Sequence, residues 1–280
     1  DCGDDSCGGS CGACNEGFSC DNFLCQCDNI VWSRNHGDDD QDRIYAVRAA
    51  GAGYFFAGRM EGLMDYHDFW VAGVNDQGFL QWSQDYTGSG SFSKDIAFGA
   101  ATTPEGDLIA VGKQDTGLWY SGVARKLSAD GTSLWGKTFG GNGLNEFRSV
   151  TVGPTGTYVA VGQVFSGYTY KGWLVELDPA TGNSLTSRTY TASGAFDVLR
   201  SIRTVSTGGY IAVGCSGVGS IDNEDYVSPG QLWLLRLNDS FNVVWSKNLA
   251  SSSEGFAVAE TADGFVAAGC DAEGFEIPAI

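Results

Sequence analysis

The sequence predicts an all-β protein, a five-bladed β-propeller that is closed by an N-terminal outer strand and preceded by a small disulfide-rich module. Three observations predict this fold. A motif recurs about every fifty residues, each complete repeat contains four strand-like segments, and the strand missing from the last repeat is found near the N-terminus. Units of this length cannot bury their own faces and therefore pack on their neighbours, as in solenoids and propellers.

The repeat is anchored by a short apolar segment that ends in small residues. It occurs at Tyr54–Gly58, Leu108–Gly112, Tyr158–Gly162, Tyr210–Gly214 and Phe265–Gly269. β-Branched and aromatic runs between turn signals are typical of strands. We interpret this segment as the second strand of each repeat.

The fourth repeat gives the clearest prediction of four strands. They are expected at Ser201–Val205, Tyr210–Cys215, Leu232–Leu237 and Val243–Lys247. Turn-prone segments join the third and fourth strands in every complete repeat. Four short strands in each unit favour a propeller over a solenoid.

The fifth repeat supplies strands at Gly255–Thr261, Phe265–Gly269 and Phe275–Ile280, and lacks a fourth. The segment Asn29–Arg34 (NIVWSR) matches Asn242–Lys247 (NVVWSK) of the fourth repeat. We expect the N-terminal segment to serve as the outer strand of the last blade, which would close the ring and remove its open edges. The predicted domains are therefore a module at 1–27 and a propeller at 28–280.

The N-terminal module is predicted from its cysteines. Seven of the nine cysteines lie in the first 27 residues, where few apolar side chains could form a core, so disulfides are expected to hold the segment together. The candidates for disulfides are Cys2, Cys7, Cys11, Cys14, Cys20, Cys25, Cys27, Cys215 and Cys270. The pairing cannot be deduced from the sequence. A zinc site is the alternative, but a second Cys-x-x-Cys or Cys-x-x-His pair is missing.

Cys215 and Cys270 follow the second strand of the fourth and fifth repeats. They could bridge adjacent blades, one of them could pair with the module, or an odd thiol could join another subunit. This use of cysteine predicts an extracellular or cell-surface protein.

The repeat sequences GGYIAVG, WLLRL and VVWSK resemble the short propeller repeats of secreted bacterial proteins of mostly unassigned function. The segment Cys7–Cys14 resembles small cysteine-rich modules of bacterial surface proteins. The resemblance implies a propeller fold and a surface location, and it transfers no catalytic residue. The third repeat departs from the pattern, because Thr186 stands where the other outer strands carry tryptophan.

Recurring tryptophans are expected to fill the space between blades, since a ligand site would not recur at one blade position. These residues are Trp32, Trp82, Trp135 and Trp245 in the outer strands and Trp70, Trp173 and Trp233 in the third strands.

Aromatic residues outside the repeating pattern form the predicted ligand or partner face. They lie between the second and third strands and are Tyr66, Trp119, Tyr120, Phe165, Tyr168, Tyr170 and Tyr226. Aromatic side chains on one face suit sugar stacking or a protein interface. The alternative is that they pack over the ends of the blades.

No cofactor is expected, with one weak exception. Asp38, Asp40 and Asp42 lie in one loop and could bind Ca²⁺, although a solvated acidic loop is the simpler interpretation and no EF-hand spacing is present.

The charge of the chain limits its partners. With 34 acidic and 16 basic residues the formal net charge is −18. Such a surface repels phosphate backbones and anionic headgroups, so we expect no nucleic-acid partner, and no apolar run is long enough for membrane insertion.

Catalysis finds little support in the sequence, and we expect no enzymatic activity. No nucleophile motif is present. A glycosidase needs only two carboxylates, for which Asp95, Glu146 and Asp197 are candidates. Because these residues precede the first strand in successive repeats, a structural hydrogen-bonding role is the stronger expectation.

The predicted function is that of a non-catalytic extracellular structural or interaction protein, a self-assembling surface or filament subunit. Its expected partner is a second copy of the chain or another surface protein. The alternative is a lectin-like or adhesive propeller that binds glycans.

Overall fold

The structure is a computed structural model. It describes residues 18–21, 24–27, 32–37, 41–61, 66–89, 94–192, 196–218, 230–251 and 253–271. These ranges contain strands and turns and no helix. They accordingly hold no helix that is long and apolar enough to cross a membrane.

Four antiparallel sheets of four strands follow one another along the chain, and in each the strands are hydrogen-bonded in sequence order. Sheet 1 contains β3 (Arg43–Ala50), β4 (Gly53–Glu61), β5 (His67–Asn75) and β6 (Leu80–Tyr86). Sheet 2 contains β7 (Ile96–Thr102), β8 (Leu108–Asp115), β9 (Tyr120–Leu127) and β10 (Ser133–Phe139).

The next two sheets repeat this arrangement. Sheet 3 contains β11 (Glu146–Val152), β12 (Tyr158–Ser166), β13 (Thr169–Leu177) and β14 (Ser184–Tyr190). Sheet 4 contains β15 (Phe196–Thr204), β16 (Tyr210–Val218), β17 (Gln231–Leu237) and β18 (Val243–Ser251). The all-β, propeller-like architecture that the sequence predicts is thereby confirmed.

The remaining described strands form two smaller sheets. The strands β19 (Ser253–Thr261) and β20 (Gly264–Asp271) form a hairpin after sheet 4. Near the N-terminus, β1 (Phe18–Asp21) and β2 (Leu24–Cys27) form a second hairpin. The strand expected at Phe275–Ile280 lies outside the described residues.

The first strands of successive sheets lie side by side, in the order β3, β7, β11, β15 and β19. We call the surface that they share the inner wall. The main hydrophobic clusters are mixed, since each takes residues from two neighbouring sheets. The core is therefore made between the sheets, as expected for units that cannot bury their own faces.

A tryptophan of one sheet packs on a glycine of the next. The ring of Trp82 in β6 lies over Gly131, in the turn between β9 and β10, and its Nε1 donates to the carbonyl of Ala129 at 2.9 Å. Trp135 in β10 lies over Gly182 of sheet 3 and donates to Pro179 at 3.2 Å. A methyl group on either glycine would overlap the ring. The recurring outer-strand tryptophans thus have the packing role that the sequence predicts.

Sheet 3 replaces this contact with a different one. Thr186 takes the place of the tryptophan, and Phe241 takes the place of the turn glycine in sheet 4. Phe241 is buried, has a φ of 61° and stacks on Tyr210 with 5.3 Å between ring centroids. The hydroxyl of Tyr190 donates to its carbonyl at 2.8 Å. The large side chain at this contact is therefore supplied by the turn of sheet 4 instead of by the outer strand of sheet 3.

The third-strand tryptophans are also structural. Their Nε1 atoms donate to serine hydroxyls of the neighbouring outer strand. The pairs are Trp70 with Ser83 at 2.8 Å, Trp173 with Ser187 at 3.0 Å and Trp233 with Ser246 at 2.8 Å.

The N-terminal segment 32–37 lies against sheet 1. The ring of Trp32 lies over Gly78, in the turn between β5 and β6, and meets Tyr54 edge-on at 6.0 Å. The guanidinium of Arg34 lies 4.1 Å from the ring centroid of Phe79. Trp32 therefore meets the turn glycine of sheet 1 as Trp82 meets that of sheet 2. The segment itself is not part of a strand.

The first strands begin earlier than the sequence predicts, because each contains a β-bulge. In sheet 4 the strand begins at Phe196 instead of Ser201, and the register shifts between Leu199 and Ser201. Equivalent shifts occur in β3, β7, β11 and β19. The extra residue interrupts the alternation of side chains on which strand prediction depends.

The contact of Trp32 with sheet 1 can be tested with three glycines of similar backbone conformation. Gly78, Gly131 and Gly106 have φ values of +76°, +86° and +88°, but an added Cβ meets nothing within 4 Å at Gly106. Gly106→Ala should cost about 1 kcal/mol through backbone strain alone. Gly78→Ala and Gly131→Ala should each cost at least about 1 kcal/mol more, since the methyl group overlaps a tryptophan.

Urea unfolding followed by circular dichroism measures these differences. In a Trp32→Ala background the excess cost of Gly78→Ala should disappear. If Gly78→Ala destabilises the wild-type chain no more than Gly106→Ala does, Trp32 does not pack where the structure places it.

Candidate functional site

The candidate site lies at one end of the sheets, where the first strands begin and the second strands end. We call this end of the molecule the upper face. It carries the hairpins between second and third strands, and hence most of the aromatic residues that the sequence predicts to form a ligand face.

In sheets 2, 3 and 4 a polar side chain just before the first strand or at its start organises the upper face. The carboxylate of Asp95 accepts hydrogen bonds from the backbone N–H groups of Asp115, at 2.5 Å, and Gly88. Asp197 accepts from Gly217 at 3.3 Å and Ala192 at 2.9 Å. Asp95 and Asp197 thus have the structural role that their recurrence predicts.

The equivalent residue in sheet 3 is Asn145 rather than Glu146, which corrects the sequence-based alignment. The side-chain amide of Asn145 donates to the carbonyls of Tyr120 at 3.2 Å and Gly141 at 2.7 Å. Its oxygen accepts the N–H of Phe165 at 2.8 Å. Asn145 therefore fastens the hairpin of sheet 2 to the hairpin of sheet 3.

The aromatic residues of these two hairpins lie at the same end of the neighbouring sheets 2 and 3, and together we call them the aromatic platform. Its members are Trp119, Tyr120, Phe165, Tyr168 and Tyr170. Tyr170 is the base of the platform: its ring lies 5.2 Å from Phe165 and 5.6 Å from Phe196, and its hydroxyl accepts the N–H of Leu144 at 3.3 Å. Burial raises the pKa of Tyr170, and the carboxylate of Glu146 adds to this effect.

The members of the platform divide into supporting and exposed residues. Tyr120 and Tyr170 are partly buried and pack over the ends of the sheets, which is the simpler of the two roles considered from the sequence. Trp119 is 45% exposed, Phe165 is 37% exposed and Tyr168 is 95% exposed. Tyr168 also has a φ of 68°, in the left-handed region that is uncommon for a bulky residue.

Two predicted residues do not join the platform. Tyr66 is partly buried and lies directly before β5, the third strand of sheet 1. Tyr226 lies outside the described residues. Among the described residues between second and third strands, the exposed aromatic side chains therefore belong to sheets 2 and 3.

Below the upper face, the bulges of the first strands direct a ring of side chains onto the inner wall. The five bulge residues are Tyr45, Phe98, Arg148, Arg200 and Phe256. Three pairs of these residues are in contact. The rings of Tyr45 and Phe98 lie 5.4 Å apart, the guanidinium of Arg148 lies 3.9 Å from the centroid of Phe98, and that of Arg200 lies 5.0 Å from Phe256.

The two arginines of this ring are paired with buried carboxylates. Arg148 Nε lies 2.6 Å from Glu146 Oε1, and Arg200 Nη2 lies 3.2 Å from Glu254 Oε2. Burial lowers the pKa of Arg200, and the charge of Arg148 adds to the effect. Burial raises the pKa of Glu254, although Arg200 and Arg148 oppose the rise. The wall thus offers fixed donors and a carboxyl group that holds its proton to a higher pH than usual.

The sequence contains a signal for Arg148 and Arg200 that the motifs considered above do not include. Arg148-Ser149 and Arg200-Ser201 occur at the same place in the third and fourth repeats, inside otherwise apolar first strands. An arginine repeated within a buried strand indicates a charged inner surface. The net charge of −18 instead suggested an acidic surface throughout.

The predicted calcium ligands are only partly described. Asp42 uses its carboxylate to accept the N–H of Glu61 at 2.7 Å, and Asp38 and Asp40 lie outside the described residues. Over the ranges that the structure describes, no group of three or more His, Cys, Asp or Glu residues could hold a metal ion.

Cys215 is the one cysteine whose side chain is described, and its thiol is free and buried. Its sulfur donates to the carbonyl of Ser253 at 3.7 Å. Burial raises the pKa of the thiol to about 11. A bridge through Cys215 is therefore not seen, and the side chains of the other eight candidates lie outside the described residues.

Comparisons with known proteins find the fold in solved structures. No protein-family model and no curated protein matches the chain. A glucose dehydrogenase matches at 12% identity with a TM-score of 0.52, over 84% of this chain and 82% of that one. A mannose phosphorylase from Leishmania mexicana matches at 12% identity and TM-score 0.47, over 85% of this chain and 83% of that one. A protein of unknown function from Bacteroides caccae matches at 13% identity with a TM-score of 0.46, over 80% of this chain and 72% of that one.

The match to the glucose dehydrogenase shows that this fold also occurs in an enzyme. The expectation that the chain has no enzymatic activity is contradicted, since a glucose dehydrogenase shares the fold. Lack of a nucleophile motif was an insufficient reason for excluding catalysis. At this identity the likeness concerns the fold alone and brings no substrate or reaction to this chain.

The pairing on the inner wall predicts strong coupling between Arg200 and Glu254. Their side chains are each only 8% exposed, so Glu254→Gln should leave a buried guanidinium without its carboxylate and destabilise the chain by about 3 kcal/mol. The double variant Glu254→Gln/Arg200→Met should recover most of this loss. Urea unfolding of the four chains gives the coupling energy, and the exposed Glu105→Gln serves as the charge-matched control. Additive effects of the two changes would contradict the pairing.

Proposed function

We propose that residues 28–280 form a five-bladed propeller outside the cell and that its upper face is a recognition surface. The contact of Trp32 with Gly78 supports closure, because it repeats the contact that joins sheet 1 to sheet 2. In this arrangement the N-terminal segment takes the outer position of the blade that begins with β19 and β20.

The ligand that we propose is a neutral glycan, bound on the aromatic platform. The observation that supports it best is the exposure of Trp119, Phe165 and Tyr168 on two hairpins that Asn145 holds together. Aromatic faces stack on the apolar faces of sugar rings, and a rigid platform loses little side-chain entropy on binding. The arginine and glutamate pairs of the inner wall lie nearby and could bind sugar hydroxyls.

Charge favours a neutral ligand on this surface. The net charge of −18 repels an acidic polymer that approaches from solution. An uncharged polysaccharide meets no such barrier.

Self-association is the second candidate, and it would use the same surface. Leu118 is 87% exposed next to Trp119, so the platform also offers an apolar patch to a second copy of the chain. The outer strands are poorer candidates for assembly by strand pairing. Each contains a β-bulge, which blunts an exposed edge.

A glycan array of neutral plant and bacterial polysaccharides, followed by calorimetry on the best ligand, tests the proposal. Trp119→Ala and Tyr168→Ala should each weaken binding about tenfold or more while leaving the melting temperature unchanged, because both rings are exposed anchors. Leu185→Ala removes an exposed apolar side chain from β14, outside the platform, and should leave the affinity unchanged. Binding that survives both platform substitutions would contradict the proposal.

The same samples distinguish the other functions. Sedimentation that shows large species, dispersed by Tyr168→Ala, would favour self-association over glycan recognition. Release of reducing sugar from a bound glycan would identify a hydrolase. With neither result, a glycan-binding module is the function that remains.

A further inference from the structure

A groove opens between sheets 3 and 4 at the end opposite the upper face, where the first strands end and the second strands begin. Its volume is about 760 Å³, against about 530 Å³ for the corresponding groove between sheets 1 and 2. Gly153, Thr155 and Glu176 line it from sheet 3, and Tyr210 and Asp239 line it from sheet 4. The groove therefore brings side chains of two neighbouring sheets into one space.

Glu176 is uncovered in this groove because sheet 3 has no outer-strand tryptophan. In sheet 1 the ring of Trp82 lies directly over its cross-strand neighbour, Gly73. The neighbour of Glu176 is Thr186, whose side chain is too short to cover it. The same position of the third strand faces a tryptophan in the other sheets, as Gly73 with Trp82, Lys126 with Trp135 and Arg236 with Trp245.

Glu176 also lacks the opposite charge that its counterpart in sheet 2 possesses. There, Lys126 forms an ion pair with Asp107 at 3.3 Å. Sheet 3 carries Glu176 and Thr157 at these two places, and the threonine hydroxyl donates to Glu176 Oε1 at 2.9 Å. Within the described ranges Glu176 forms no ion pair. Its second carboxylate oxygen is therefore free to accept a hydrogen bond from a ligand.

Asp239 brings a second carboxylate, from the turn between β17 and β18. Its Oδ1 accepts the N–H of Gly209 at 2.6 Å. Arg236 lies near the same turn, but its guanidinium donates to the carbonyls of Tyr210 at 3.2 Å and Gly208 at 2.6 Å. In the part of the chain that the structure describes, Asp239 has no ion pair with Arg236 or with another cation. The groove thus holds two carboxylates that are not neutralised.

The hydroxyl of Tyr210 points into the same space. A Cβ added at Gly153 would lie 2.7 Å from this hydroxyl and 3.2 Å from the hydroxyl of Thr157, so both oxygens border the volume that the glycine leaves open. The ring of Tyr210 is fixed by its stacking on Phe241. The hydroxyl and the Thr157–Glu176 hydrogen bond are therefore neighbours in the groove.

Tyr210 is 3% exposed, and no described residue forms a hydrogen bond with its hydroxyl. Burial raises the pKa of Tyr210 to about 12, and the charges of Glu176 and Asp239 add to the effect. The hydroxyl therefore keeps its proton and is a donor that lacks an acceptor within the protein. Leaving such a donor unsatisfied is costly, which points to an acceptor on a ligand.

We propose that the groove between sheets 3 and 4 binds a protonated amino sugar. The two carboxylates, Glu176 and Asp239, suit its ammonium group, and the hydroxyl of Tyr210 suits a neighbouring sugar oxygen that can accept a hydrogen bond. The hydroxyl of Thr155, which lies 3.2 Å from that of Thr157, offers a further hydrogen bond to the sugar. The volume is in the range of small-molecule sites. The site lies at the opposite end of the sheets from the aromatic platform and does not depend on glycan binding there.

Calorimetric titration of the full chain with glucosamine, in slightly acidic buffer that keeps the amine protonated, tests the proposal. The wild type should bind one equivalent saturably. N-acetylglucosamine has the same ring without the charge and should bind at least about tenfold more weakly. Glu176→Gln should weaken glucosamine binding about tenfold, and Tyr210→Phe about threefold or more. Glu105→Gln removes the same charge from the corresponding groove between sheets 1 and 2, and should bind as the wild type does.

Both groove variants should remain folded. Tyr210→Phe keeps the ring that stacks on Phe241 and removes a hydroxyl without a partner, so its melting temperature should equal or exceed that of the wild type. Glu176→Gln keeps a side-chain oxygen that can accept the hydroxyl of Thr157.

Four results would overturn the proposal. The first is no saturable heat in the wild type. The second is an equal loss of affinity in Glu105→Gln, which would indicate a general effect of charge. The third is binding that is lost in Tyr168→Ala but unchanged in Glu176→Gln, which would place the sugar on the aromatic platform. The fourth is tighter binding of Nα-acetyl-lysine amide than of glucosamine, which would assign the groove to a basic peptide.

Discussion

The packing of a large ring from one sheet against the turn of the next is the interaction on which the rest of this molecule depends. A four-stranded sheet of this size cannot bury both of its faces alone, so each must be fixed to its neighbours. Trp82 on Gly131 and Trp135 on Gly182 do this with a hydrogen bond and a close fit that only glycine permits. Once neighbouring sheets are fixed at their outer edges, their first strands are brought together as the inner wall.

The fold could be predicted from the sequence because its signals are local and repeated. Second and third strands are apolar runs between turns, and the repeated tryptophans mark their packing positions. The exchange of Thr186 and Phe241 was not predicted, because the compensating residue lies in a different repeat from the missing one. The early starts of the first strands were missed for another reason, since a bulge breaks the alternation that identifies a strand.

The candidate site was less accessible to sequence analysis. Loop aromatics could be identified by their departure from the repeat, and five of the seven lie together on the platform. The inner wall could not be identified from the sequence, since its residues come from five strands that are far apart along the chain. Glu146 was aligned with Asp95 and Asp197 although Asn145 is their counterpart, because spacing alone does not reveal a register shift of one residue.

Charge is distributed unevenly over this chain. The chain as a whole is acidic, yet Arg148 and Arg200 of the inner wall lie in ion pairs with Glu146 and Glu254. Net charge governs long-range attraction, whereas a binding site responds to charges within a few ångströms. The overall value of −18 therefore does not describe the local charge of the inner wall.

We propose that residues 32–37 take the place of an outer strand beside sheet 1. Thermal unfolding of two shortened chains, one beginning at residue 29 and one at residue 38, tests it most directly. The claim predicts that the first chain, which keeps Trp32, melts several degrees above the second. Equal melting temperatures would contradict it, because the segment would then contribute nothing to the packing of the sheets.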